Sequence, residues 1–315
     1  KPIQPFNLAK RTTPELVGLL RHADKWHRQT ALRLLADRRD STALPLLTKM
    51  LREELGQAAL EALWAVNLCG GFNPEFAAET LRHPDPHVRA WTVRLLGDDR
   101  LVPEATAAAL ARLAKREANV EVRGQLAATA KRLPGGQSLP IIRELLQHDA
   151  DAGDIYQPLM VWWALESKVA GHPGEVLGLF DDIAIWQTSL SREHILGRLM
   201  RRFTKAGSRA DLLASARLFE MAPSAESAKI LMAGFEQAYK GRSMAALPER
   251  LMVAMARHGG GSFALGLRRG EAKAVEEALR VIADPKADKL MRLQYTEILG
   301  EAPNPRAIPV LLGIV

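Results

Sequence analysis

Residues 83–99 read HPDPHVRAWTVRLLGDD: two histidines and two prolines within five residues, then an amphipathic run carrying one tryptophan. Histidines at i and i+4 on one helix would face the same way and form a zinc pair. Between His83 and His87, however, stand Pro84 and Pro86. Proline is tolerated in the first turn of a helix and breaks its interior. The stretch therefore predicts a joint: one helix ends at His83, Pro84-Asp85-Pro86 turns, and a second helix starts at the turn and carries Arg89 to Leu96.

The joint recurs. WHRQTALRLLADRRD at 26–40 matches HVRAWTVRLLGDDR at 87–100 with a shift of 61 positions, so that Arg28 falls on Arg89, Arg33 on Arg94 and Leu35 on Leu96. Val122-Arg123 repeats Val88-Arg89, and MRLQYTEILGE at 291–301 puts Arg292 in the same place. A second element, Ala43-Leu-Pro-Leu-Leu, returns as Ser138-Leu-Pro-Ile-Ile and Ala307-Ile-Pro-Val-Leu, each with proline near the start of an apolar helix. The unit is helix A, turn, helix B, with a period of roughly 30 to 40 residues. The predicted fold is all-α: a HEAT-like α-solenoid, a right-handed superhelix of nine to ten helix pairs.

The pairs are expected over 13–38, 41–69, 73–98, 103–133, 137–169, 173–206, 208–240, 247–267 and 271–301, with another opening at Asn304. Thr13-Pro-Glu, Asn73-Pro-Glu and Ser208-Arg-Ala-Asp supply capping side chains and first-turn acids. Residues 1–12 read as a linker from a preceding module and 13–315 as the repeat domain. Bends are expected at DADAGD, 149–154, and at the glycine run 259–261. The start at Lys1 and the stop within LLGIV read as truncation at both ends.

Composition narrows the chemistry. The chain is rich in Leu and Ala and poor in aromatics, at 5%, which suits helices. No apolar run reaches the roughly 18 residues of a membrane span. Cys69 stands alone, so there is no internal disulfide and no CxxCH haem attachment. The glycine run lacks the lysine and preceding strand of a phosphate loop, and no Ser or His falls into a nucleophile motif. The residues thus predict no catalytic group, no metal site and no cofactor in this segment. A net charge of +7 raises nucleic-acid binding as the alternative, without the basic stripe interleaved with aromatics that would support it.

Three features remain as candidate sites. His22, His83, His148 and His258 end A helices, where they would bond the last free carbonyls. Arg28, Arg89, Arg123 and Arg292 read as a structural ladder pairing with acids of neighbouring turns, such as Asp24 or Asp85. DIYQPLMVWWALE at 154–166 puts Trp162 and Trp163 about 100° apart on one helix, with Tyr156 and Glu166 nearby. Both rings are expected to fill a gap between repeats, with one lining a groove as the alternative. Trp26, Trp64, Trp91 and Trp186 read as core. SREHILGRLMRRFTKAGSR at 191–209 buries Ile195, Leu196, Leu199, Met200 and Phe203 and turns Arg198, Arg201 and Arg202 outward. Tyr156, Trp162, Trp163, Glu166, Arg198, Arg201 and Arg202 are the predicted partner-binding set.

FNLAKRTTPELVGLLRHADKWHRQTALRLLADRRD, HPDPHVRAWTVRLLGDD and PLMVWWALE together resemble the HEAT-repeat region of a bacterial family of membrane-bound dehydrogenase-like, haem-binding multidomain proteins found in planctomycetes and verrucomicrobia. The resemblance extends over nearly the whole chain, to RVIADPKADKLMRLQYTEILGE. It implies an exported parent with a sugar-dehydrogenase-like propeller before the repeats and a c-type cytochrome module, holding haem c, after them. This chain would be the non-catalytic middle module, extracytoplasmic or periplasmic, docking adjoining domains of the same chain or a protein partner. The runner-up is a HEAT-like nucleic-acid binder of the alkylpurine DNA glycosylase type.

Overall fold

Several helices begin where a short polar side chain takes up a free backbone amide. In the computed structural model, which describes residues 7–241, 247–258 and 263–313, Thr12 and Glu15 form a reciprocal capping box. Asn73 accepts from the Phe76 amide at 2.8 Å and Ser208 from the Asp211 amide at 3.1 Å. Asp24, Asp85 and Asn119 cap the helices after the joints, at 2.8, 2.8 and 2.9 Å. The described residues contain helices and no strand.

The described residues form twenty α-helices. They are α1 (Thr13–Leu19), α2 (Lys25–Arg38), α3 (Ala43–Glu53), α4 (Gly56–Leu68), α5 (Pro74–Thr80), α6 (Pro86–Leu96), α7 (Glu104–Arg116), α8 (Val120–Arg132), α9 (Gly135–Leu145) and α10 (Gln157–Val169). Then come α11 (Pro173–Gly178), α12 (Ile183–Gln187), α13 (Leu196–Ala206), α14 (Arg209–Met221), α15 (Ala225–Tyr239), α16 (Glu249–Ala256), α17 (Phe263–Arg268), α18 (Ala272–Ala283), α19 (Lys289–Glu301) and α20 (Ala307–Leu312). The expected pairs map onto these helices closely from α1 to α10 and again from α14 to α20. DADAGD forms a 3-10 turn, Asp149–Gly153. The predicted bend at 259–261 lies outside the described residues.

Two departures have local causes. Helix α9 starts at Gly135, two residues early, which puts Pro140 inside it rather than in its first turn. The early start is held by Gln137, whose amide clasps the Val102 backbone: Nε2 donates to Val102 O at 2.7 Å and Oε1 accepts from Val102 N at 3.2 Å. The helix pair expected over 173–206 is instead divided into α11, a 3-10 turn at Leu179–Asp181, α12, a π-helical turn at Ser191–Ile195 and α13. Asp182 restarts the chain by capping Ala184 N at 3.0 Å. Buried Trp186 donates its indole N–H to Phe180 O at 2.8 Å, satisfying a carbonyl freed by the break.

The chain divides into two compact units, 1–145 with 163–165, and 146–162 with 166–315. In the first, helices pack mainly against the next and the next but one along the chain: α1 on α3, α5 on α7 and α7 on α9 in one row, α2 on α4, α4 on α6 and α6 on α8 in another. Leu16, Leu20, Leu35, Leu47, Leu63 and Val66 fill the space between the rows at its start. In the second unit α13 packs on α15 and α14 on α16. A further core of Val275, Ala278, Ile282, Ile298 and Leu299 gathers α17 to α20.

Candidate functional site

The joints are the most repeated geometry. Arg28, early in α2, donates through Nη1 to His22 O at 2.9 Å and Ala23 O at 2.8 Å. Arg89 does the same to His83 O at 2.8 Å and Pro84 O at 2.9 Å, and Arg123 to Glu117 O at 2.9 Å and Ala118 O at 2.8 Å. In each case the acceptors lie six and five residues upstream. One guanidinium thus satisfies two carbonyls of the turn between the helices. Arg292 departs: from the same fourth position of its helix, its Nε reaches Ile282 O at 3.1 Å, ten residues upstream in the last turn of α18.

The acidic partners differ from those expected. Arg28 pairs with Glu61 on α4 at 3.1 Å, and Arg89 grips Glu117 with both arms, at 2.6 and 2.8 Å. Asp24 and Asp85 are caps instead. Asp85 serves two helices, accepting from His87 N and, at 2.6 Å, from Gly56 N at the start of α4. Burial pushes the Asp85 carboxyl up, but the amides of Gly56 and His87 outweigh it and hold it below its ordinary value. Burial likewise raises Glu117, and the Arg89 guanidinium more than offsets it, so this carboxyl too ends up low.

The histidines also do something other than expected. His83 reaches the preceding A helix rather than its own, its Nε2 lying 3.0 Å from Leu51 O while Nδ1 accepts from Asp85 N at 3.1 Å. His258 repeats this with Phe219 O at 3.2 Å. His22 folds back on its own turn, accepting from Asp24 N at 3.0 Å. His87 faces Glu121, at 3.5 Å, so the rings of His83 and His87 are committed to different partners.

Of the predicted partner-binding set, the structure brings Glu166 and Arg202 into contact. Tyr156 is 74% exposed just before α10, and Glu166 lies ten residues on, about 15 Å along the helix axis. Trp162 is half-buried and Trp163 44% exposed, with Lys131 Nζ 5.5 Å from its ring centroid; neither ring is sealed in a gap. Glu166 accepts from Arg202 Nε at 2.7 Å, so this pair is brought together and mutually neutralised. Arg198 turns back onto His194 O at 2.8 Å, and Arg201 is exposed. The five apolar residues of this segment are buried as expected. Trp186 is core and Trp64 packs edge-on to Trp91 at 5.0 Å, both half-buried. Trp26, read as core, is 53% exposed in the first turn of α2.

One feature escaped the sequence reading. Between α5 and α7 lies a groove of about 410 Å³. Pro74, Glu75 and Pro103 mark the end at the helix starts, Ala78, Leu81, Ala105 and Ala109 lie along it, and Arg82, Arg112 and Arg116 mark the other end. The three arginines are exposed, and their guanidiniums have no carboxylate or carbonyl partner among the described residues. The signal was available in the i, i+4 spacing of Arg112 and Arg116 and in the repeat alignment, which places Arg82 beside them.

The chain matches no protein-family model and no curated protein. Among the described residues no helix is long and apolar enough to cross a membrane.

Proposed function

We propose that this chain is a non-catalytic docking scaffold, a HEAT-like right-handed solenoid that spaces and holds other modules. The observation that supports it is the joint: Arg28, Arg89 and Arg123 make the same bonds at the same offset, each fixing the turn between an A and a B helix. In such arrays stability is roughly a sum of repeat and neighbour terms, and the stacked surface is what serves recognition. Polar side chains that catalysis would use are committed to register: Glu61 to Arg28 and Gln57, Glu117 to Arg89, His83 to Leu51 O.

Following the family resemblance, the modules held are a dehydrogenase-like propeller and a c-type cytochrome of an exported redox protein, with haem c in the parent and none in this segment. The test is to express the chain alone and with each flanking module of its reading frame. A helical protein without a Soret band that binds a flanking propeller or cytochrome supports the reading. Haem bound by the chain alone, or a reading frame with neither module, overturns it.

The glycosylase alternative requires a carboxylate free to act beside tryptophans. Glu61, one turn from Trp64, is buried and tied to Arg28 and Gln57, which favours the scaffold.

A further inference from the structure

The arginine that precedes each joint is matched across the outer row of unit 1, up to a point. Arg21, after α1, pairs with Glu54, after α3, at 2.7 Å. Arg52 of α3 pairs with Glu79 of α5 at 2.6 Å, with a second bond at 2.9 Å. Arg82, after α5, holds the next place in this series. Facing it, α7 offers Arg112 and Arg116 instead of a carboxylate. Arg112 and Arg116 share one helix face, so three cations converge where the ladder elsewhere alternates in sign. Uncompensated like charge is a standing cost, and an anionic ligand would relieve it.

We propose that the groove between α5 and α7 docks an acidic peptide segment of a partner protein, with carboxylates over Arg82, Arg112 and Arg116 and small apolar side chains along Ala78, Ala105 and Ala109. The groove is far larger than one small anion needs and falls within the range of ligand sites, roughly 300–1,000 Å³. Its apolar length would be left bare by free phosphate. Nucleic acid fits it worse: no aromatic ring lines it for base stacking, and Glu75 at the far end repels a continuing phosphate backbone. Guanidiniums engage carboxylates through paired N–H donors, which gives the arginine end its selectivity.

The proposal rests on the docking reading but fails separately from it. The probe is a fluorescein-labelled peptide of leucine, alanine and glutamate, its glutamates clustered at one end, followed by anisotropy with the whole chain. The wild-type chain is expected to bind it, and the same peptide with lysine for glutamate is expected not to bind. The triple variant R82Q/R112Q/R116Q should weaken binding by about tenfold or more, as should raising salt from about 50 to about 200 mM. The variant R21Q/R52Q/R250Q removes three paired arginines and should bind within about twofold of wild type. Circular dichroism verifies that both variants fold. Equal loss in the two triple variants, no peptide binding, or displacement of the peptide by duplex DNA in preference to free acidic peptide would overturn it. If a flanking module binds the chain while the peptide does not, the scaffold stands and the groove assignment falls.

Discussion

Asp85 shows how much register one side chain can carry. It is 8% exposed and holds the first amides of both α4 and α6. Asp85→Ala leaves donors at two helix starts unpaired, so a loss of about 2 kcal/mol is expected in urea unfolding. Arg89→Ala strands Glu117, only 4% exposed, and is expected to cost about 3 kcal/mol. The companion Arg89→Ala/Glu117→Gln double variant should recover part of that loss, and strict additivity of the two single changes would refute the coupling. Both carboxyls sit below their ordinary values of 3.8 and 4.5 in the fold. Their contribution is therefore complete above those values and lost as pH falls through the lower folded values. Unfolding midpoints should drop as pH falls below about 4.5, and Glu117→Gln should flatten that drop. Cys69 offers an independent check: it is buried, its thiol donates to Leu35 O at 3.6 Å, and burial pushes it above the ordinary thiol value. It should react with a disulfide reagent only as fast as the chain opens, and prompt labelling of the native protein would contradict this packing.

Helix boundaries were readable wherever a cap and a repeat agreed. Asn73 and Ser208 marked starts that the structure keeps, the cap expected at Thr13 falls one residue earlier on Thr12, and the proline turn at 84–86 was a joint as predicted. Boundaries failed where a distant group decided them. Nothing local to 135–137 announces that Gln137 will clasp Val102 and draw α9 forward. Nothing in the apolar periodicity of 173–190 shows the break that Trp186 stabilises through Phe180 O. The candidate site was readable only in part, because side-chain partners lie a repeat away: the arginine ladder was visible, but its acids, Glu61 and Glu117, were not. Close helix contact was also invisible. Gly197 of α13 and Gly234 of α15 meet so tightly that a β-carbon on Gly234 would lie 2.3 Å from Gly197 O. Gly234→Ala is therefore expected to force α13 and α15 apart and to cost about 1–3 kcal/mol. Gly241→Ala, at a positive φ of 77° with open space around it, strains only its own backbone and should not disturb that packing. A Gly234→Ala protein as stable as wild type would show that the two helices do not approach this closely.

The composition of the molecule follows from the same locality. Substantial helix contacts join near neighbours along the chain, and the contacts fall into two compact units. Two of its buried clusters, one drawn from α1 to α6 and one from α17 to α20, each gather helices close along the chain. Two-state behaviour is the property of small single domains, and neighbour-limited arrays lose it as they lengthen. The calorimetric enthalpy of unfolding should therefore exceed the van't Hoff enthalpy. Variants confined to one unit should also act unequally on the transition. Arg89→Ala removes bonds made wholly within residues 83–117, and Gly234→Ala perturbs a contact made wholly within α13 and α15. Each should lower the protection of its own helices in hydrogen exchange by several-fold while leaving the other unit's amides near wild type. Equal enthalpies, with both variants lowering protection uniformly from α1 to α20, would mean that the chain unfolds as one cooperative body and that neighbour contacts do not limit how far a local loss is felt.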